Sequence, residues 1–575
     1  MCRIICANLL LLVVGYAQAA QPDNPEAADP QTAAAADLVV ISNAALTMTQ
    51  RLGRAEPLAI AVRDETISWV GKPAAAQTQL GPATRVIKVE NGLLMPGFID
   101  AHGHISFVGM NQQLANVASP PVGPVETLAD LQQTLRSYIQ TNQVPAGEWV
   151  VGRGYDDSLI EERRHPDRDD LDAVSSEHPI LLIHVSGHLA AANSRALARA
   201  GINAETPDPA GGHIRRRANS SEPNGVLEET AAAALRRFMT APIKDPLQSI
   251  RIGLDEYARF GLTTAQDGGS NTQAITLLQQ ADAAGFVNLD IVAYPSGQLH
   301  PQIISQQFDF GSYQGRVKVG GVKLMLDGSP QGKTAYMTKP YLIPPHGQDA
   351  TYRGYPNLPQ PAVTDLVRTY FSAKVPVIAH ANGDAAADLL INAVADSAPQ
   401  HDHRTVMIHA QTVREDQLTR MKNLGMMPSF FAAHTFYWGD WHRDSVFGVE
   451  RAERISPTAS TVARAIPFTV HNDAPVVPPD TSRLLWATVN RLTRSDQLLG
   501  GAQRISVYDA LRAMTVNAAY QHFEEDSKGS LETGKQADFI VLSDNPLQME
   551  KTDLLKLRVL RTFSRGREVY TDPAL

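Results

Sequence analysis

The sequence predicts an α/β protein: a (β/α)8 TIM-like barrel with a large insertion after its first strand and a small composite β domain built from both termini. Three observations predict this. Eight short β-rich runs end in polar residues and alternate with helical patterns, strand-like segments sit at both ends of the chain, and one interval between runs is far longer than the rest.

The eight runs are Phe98 to His104, Thr263 to Gly268, Val287 to Tyr294, Val317 to Asp327, Pro376 to Asn382, Thr405 to Gln411, Met426 to His434 and Pro467 to Asp473. Helical patterns fall between them at Thr272 to Ala284, Val363 to Lys374, Asp384 to Asp396 and Glu415 to Leu424. Alternation of this kind signals a parallel sheet, and eight units fit a closed barrel better than an open sheet. About 150 residues separate the first run from the second, where a barrel needs a few tens. Residues 110–247 therefore read as an insertion. It follows the C-terminal end of a strand, so it should lie over the active-site face as a wall or lid.

Leu38 to Val89 reads as short strands separated by turns, and Asp538 to Leu542, Arg561 to Phe563 and Val569-Tyr570 are strand-like. These suggest one β domain shared by residues 38–95 and 526–575, flanking a barrel over 96–525. Residues 20–37, rich in Ala, Pro and Asp, read as a flexible leader. Residues 1–19 have the layout of a signal peptide: Arg3, an apolar run from Ile4 to Val14, then Ala17-Gln18-Ala19. Cys2 and Cys6, the only cysteines, fall within it. The processed chain would then hold no disulfide and no thiolate ligand, and would be periplasmic or secreted. No later stretch is long and apolar enough to span a membrane.

At 575 residues, with 43% hydrophobic and 19% charged residues, the chain is globular. The net charge of −9 is dispersed along it, which argues against nucleic acid or an anionic membrane surface as partner. A small-molecule substrate is expected, and a homo-oligomer is compatible with the sequence.

The strongest local signal is Pro96-Gly97-Phe98-Ile99-Asp100-Ala101-His102-Gly103-His104. Positions i and i+2 of a strand face the same side, so His102 and His104 project together and can grip one metal ion. His380 and His409 each follow an apolar β run and should emerge at the same face; Asp473 closes the eighth run. His471 shares the strand face of Asp473 and could contact metal-bound solvent or substrate. Phe431 to His442 holds His434, Phe436, Tyr437, Trp438, Trp441 and His442. Such a cluster after a barrel strand suits an apolar or aromatic substrate group, with His434 and Trp438 as contacts to it, or packing beneath the insertion.

The segment Pro96 to His104 resembles the first-strand metal motif of the amidohydrolase superfamily. The wider pattern resembles its YtcJ-like (amidohydrolase family 3) branch, which includes N-substituted formamide deformylases. The supporting motifs are Trp149 to Asp156, Gly261-Leu262-Thr263-Thr264, Val322 to Ser329, His380 to Asp384, His409-Ala410-Gln411 and Asn472-Asp473-Ala474-Pro475. The resemblance spans nearly all of the processed chain. It implies that His102, His104, His380, His409 and Asp473 bind one or two divalent ions, with zinc expected. It implies that Lys323 is the lysine that can be carboxylated to bridge two metals, and that His188 lies near the pocket. It further implies that Asp473 shuttles a proton while metal-activated water attacks an amide, formamide or related C–N bond. The same residues suit a metal-dependent esterase, lactonase or phosphoesterase. A non-catalytic periplasmic binding protein is a rival of a different class, disfavoured because every expected ligand is present.

Overall fold

The computed structural model describes residues 35–49, 53–345 and 347–575. The signal-peptide reading and all but the end of the leader lie outside the described residues. Where the leader ends the chain is docked: Ala36 is buried and its N–H donates to the Gln79 carbonyl at 3.0 Å.

Both termini enter one eight-stranded sheet. Leu93–Pro96 runs antiparallel to Phe539–Leu542, with Pro96 opposite Phe539, and Leu38–Ala45, Glu56–Arg63, Val559–Ser564 and Arg567–Thr571 extend the sheet on either side. Alternation of Val, Ile and Leu with smaller or polar residues turns one face inward. There Val40, Ile60, Leu94, Phe539 and Phe563 form a core of their own, with the two phenylalanine rings stacked at 4.4 Å.

All eight predicted runs contain a strand, and these form two five-stranded sheets. One joins Phe98–Ile99, Leu262–Ser270, Asp290–Pro295 and Val317–Val319 by parallel pairing, with the short Tyr313–Gln314 antiparallel at its edge. The other joins Val322–Met325, Val377–Ala381, Val406–His409, Met427–Phe430 and Thr469–Val470, parallel throughout. The run predicted over Val317 to Asp327 is broken at Gly320-Gly321, because the chain there passes too close to its neighbour for any side chain. A Cβ on Gly321 would lie 2.3 Å from the Pro376 carbonyl oxygen. The predicted helices form at Thr272–Ala283, Gln360–Ser372, Asp384–Ser397 and Glu415–Asn423. Asn271 caps the first by accepting from the Ala274 N–H at 2.8 Å. The run Met426 to His434 ends as a strand at Phe430, and His434 opens the helix His434–Trp441.

Within 110–247 the chain builds a separate six-stranded sheet, ordered Gly212–Arg216, Pro223–Glu229, Leu189–Ala192, Ile180–His184, Val150–Tyr155 and Ala115–Asn116. Apolar clusters cover both of its faces, around Trp149, Leu181 and Leu227 on one side and Leu131, Leu171 and Leu182 on the other. No helix among the described residues is long and apolar enough to cross a membrane.

Candidate metal centre

Strand ends bring the predicted ligands together. His102 and His104 follow Phe98–Ile99, His380 lies in Val377–Ala381, His409 ends Val406–His409, and Asp473 follows Thr469–Val470. His102, His104 and Asp473 offer donor atoms that all lie within 4.8 Å of one another. Asp473 Oδ1 is 3.1 Å from His104 Nε2 and 3.5 Å from His102 Nε2, and its Oδ2 is 3.8 Å from His409 Nε2. The His380 and His409 rings are 4.6 Å apart. Lys323 Nζ stands 2.9 Å from His102 Nε2 in a fully buried position.

Each imidazole is oriented from behind. His102 Nδ1 donates to Gln266 Oε1 and His104 Nδ1 to the Gly268 carbonyl, both at 2.6 Å. His380 Nδ1 donates to Asp327 Oδ1 at 2.9 Å. His409 Nδ1 faces His471 Nε2 at 3.2 Å, and His471 Nδ1 meets Ser429 Oγ at 2.8 Å. An imidazole whose Nδ1 carries the hydrogen presents a lone pair at Nε2, the tautomer a metal requires. His471 therefore sits behind His409. The backbone needs space here too: a Cβ on Gly268 would lie 2.6 Å from His102 Cε1.

Burial holds the His102 and His409 imidazoles well below their ordinary value, with Lys323 and His380 respectively adding to the effect. Both are neutral. Burial also pulls Lys323 down to about 7, against the opposing pull of Asp473. For Asp473, burial alone would raise the pKa, but the surrounding His102, His104 and His409 hold the carboxyl well below its usual range. It is a carboxylate at neutral pH. Behind it, burial raises Asp100 to about 6 despite a 2.9 Å hydrogen bond from the Tyr257 hydroxyl; Asp100 Oδ1 accepts the His102 N–H at 3.1 Å.

This donor set fits a divalent ion. Its Nε2 lone pairs converge on a buried carboxylate whose Oδ1 takes no well-directed hydrogen bond, and imidazole with carboxylate is a zinc-type ligand combination. Gln266, Gly268 and Asp327 were not foreseen as supports. Replacing Gln266 with leucine should weaken metal binding about ten- to a hundredfold while the four histidines remain. Competition with a calibrated chelator measures this, and unchanged affinity would show that the Gln266 contact does not orient the ligand.

A cavity of about 280 Å³ opens from the cluster. Residues between 110 and 247 supply much of its wall, among them Arg153, His184, His188 and Arg236. His188 is held by Glu229, Nδ1 to Oε2 at 2.8 Å, and its ring is 5.6 Å from that of His380. The aromatic segment is placed differently from its substrate-contact reading. Neither His434 nor Trp438 lines the cavity: Trp438 is buried and donates its indole N–H to Asp156 Oδ2 at 2.6 Å, while His434 stacks on Phe431 at 4.1 Å. Packing beneath the insertion accounts for both, since the buried indole finds its acceptor there. His471 likewise lies behind the ligands, outside the cavity wall.

The N-substituted formamide deformylase of Arthrobacter pascens is 27% identical over 550 residues, covering 92% of this chain and 97% of that protein. The amidohydrolase YtcJ of Bacillus subtilis (strain 168) is 25% identical over 547 residues, 91% of this chain and 97% of its own. Among solved structures, a metal-dependent hydrolase of Pyrococcus horikoshii OT3 superposes with a TM-score of 0.70 at 21% identity, over 89% of this chain and 99% of that one. The model of the amidohydrolase family matches residues 85–570, and the chain belongs to that family.

Proposed function

We propose that the protein removes an acyl or formyl group from the nitrogen of a small molecule, at a zinc centre in the mouth of a closed (β/α)8 barrel. The protein is a metal-dependent hydrolase of C–N bonds other than peptide bonds; the acyl or formyl substrate, the zinc and the barrel closure are the proposal. Parallel pairing in both five-stranded sheets, apart from the edge strand Tyr313–Gln314, supports closure, as does the parallel bridge between Ser296 and Lys323 that links them. One observation carries the functional reading: inward-facing imidazole nitrogens from separate strands meet at Asp473.

His102, His104, His380, His409 and Asp473 would hold the metal. When bound, a divalent ion lowers the pKa of water towards neutrality and polarises a carbonyl. Asp473, kept ionised by its neighbours, accepts the proton of the attacking water at a carboxylate oxygen. It then returns that proton to the departing nitrogen, so that the amine leaves neutral. His104 Nε2 lies 3.1 Å from Oδ1, so the imidazole and the carboxylate would share the same ion. Lys323, brought near neutrality by burial, can add its free amine to carbon dioxide; one proton is lost and an anionic carbamate results, suited to bridging a second ion. The signal-peptide layout of residues 1–19, with its apolar run from Ile4 to Val14, supports export to the periplasm or medium.

Purified protein assayed on N-formyl and N-acyl amines beside matched esters tests the reading. Release of amine and acid in equal amounts, abolished by chelation and restored by zinc, is the expected result. Ester cleavage with no amide cleavage would favour the esterase or lactonase alternative.

A further inference from the structure

We propose that Arg153 is the anchor of an anion-binding subsite in the catalytic cavity, so that the substrate is an amide carrying a carboxylate beside an apolar group. The proposal rests on the hydrolase reading of the same cavity. Arg153 and Arg236 both face this space, and Asp473 is the one carboxylate among its lining residues. Asp473 is committed to the imidazole cluster.

Between residues 110 and 247 some arginines have carboxylate partners, Arg164 with Asp170 at 2.6 Å, Arg168 with Glu222 at 2.8 Å and Arg215 with Glu228 at 2.6 Å, while Arg136, Arg163 and Arg199 donate to backbone carbonyls and do not face the cavity. Among the described residues neither Arg153 nor Arg236 has a carboxylate within 4.0 Å. Arg153 is tied down only through Nε, which donates to the Asn111 carbonyl at 2.5 Å. Its terminal nitrogens, the pair that binds a carboxylate side-on, are left for the cavity. Arg236 is fixed by the Gly187 and Glu229 carbonyls at 2.9 and 2.8 Å, and its Nε is buried with no acceptor. Glu229, the nearest acid behind the wall, is engaged by His188 at 2.8 Å.

A guanidinium whose terminal nitrogens face a cavity without acceptors favours an anion that can accept from both of them. In a protein of net charge −9, a cavity lined by two guanidinium groups is a local positive field that draws anions inward. Phe107, Val122 and Met239 line the same space and suit an apolar side chain beside the anion. An N-acyl amino acid with an apolar side chain has all three parts: amide, carboxylate and hydrocarbon.

The test compares phenylacetate with uncharged 2-phenylethanol by calorimetry, using the metal-loaded protein, Arg153→Gln and Arg153→Lys, each first checked for an unchanged melting temperature. Phenylacetate should bind the natural protein about ten- to a hundredfold more tightly, the range for a charge-assisted hydrogen-bonded pair. Arg153→Gln should erase that margin and Arg153→Lys should keep part of it. Equal binding of the two probes, or a margin that survives Arg153→Gln because the anion sits on the metal, overturns the subsite. A parallel turnover arm compares N-formylphenylalanine with N-formyl-2-phenylethylamine, where the carboxylate should favour the first, chiefly through KM. A binding margin without turnover of either compound would count against the hydrolase reading and leave the subsite standing. Turnover without any preference or margin would remove the subsite alone.

Discussion

Replacing His102 with alanine should abolish both bound metal and turnover, with kcat/KM falling at least about a thousandfold. Supports behind a metal ligand are worth ten- to a hundredfold in affinity, and losing the ligand itself costs more. His102 also has the most exacting position of the set. Its Nε2 lies 2.9 Å from Lys323 Nζ and 3.5 Å from Asp473 Oδ1, and its Nδ1 is fixed by Gln266 at 2.6 Å. Gly268 beside it has no side chain to offer a replacement donor, and a Cβ there would overlap the ring. Elemental analysis after dialysis against buffered zinc, combined with steady-state rates, reads both losses. Thermal melting adds an independent check. A metal that binds only the folded state stabilises it by mass action, so chelation should lower the melting temperature of the natural protein and leave His102→Ala unmoved. Turnover by a variant free of metal would refute the centre.

Much of this centre was legible because strand periodicity is local. Spacing of two residues places His102 and His104 on one side of a strand whatever surrounds it, and a polar residue closing an apolar run marks a strand end. His380, His409 and Asp473 also end such runs, and the resemblance to the amidohydrolase superfamily marked them as ligands. What was not legible depends on which strand lies beside which. Gln266 and the Gly268 carbonyl support the first two histidines only because Leu262–Ser270 pairs in parallel with Phe98–Ile99. Asp327 reaches His380 because Met325 and His380 are in register.

The aromatic segment after Phe430 shows the opposite failure. A cluster of rings suits a substrate pocket or a packed interior equally, and only the partner decides between them. That partner is Asp156, distant in sequence, which takes the Trp438 indole hydrogen. The interval over residues 110–247 was visible as overlong, whereas its supply of Arg153 and Arg236 to the cavity depends on how the six-stranded sheet within it is ordered. The split at Gly320-Gly321 has a similar cause, since the neighbouring carbonyl of Pro376 cannot be read from the run itself.

Asp473→Asn should reduce kcat by about a hundred- to ten-thousandfold, the range for a general acid–base group, while the fold persists. Asparagine has the same shape and tolerates the left-handed backbone at this position, φ 54°, better than most residues. Two effects on metal binding oppose each other. Removing the carboxylate withdraws an anionic ligand and weakens the site. Against this, burial alone would lower the His104 pKa, and contact with Asp473 is what raises it above the ordinary value. Without that carboxylate, His104 loses its proton more readily and becomes the better ligand. The net loss of affinity should therefore be smaller than in His102→Ala, and saturating zinc should refill the site. The amide cannot accept a proton from water at the carboxylate position, so kcat should stay depressed when metal content is restored. Rates measured across a zinc titration separate the two contributions. Recovery to within tenfold of the natural kcat at full occupancy would mean that the proton passes through another group, and His104, the nearest imidazole at 3.1 Å, would then become the candidate.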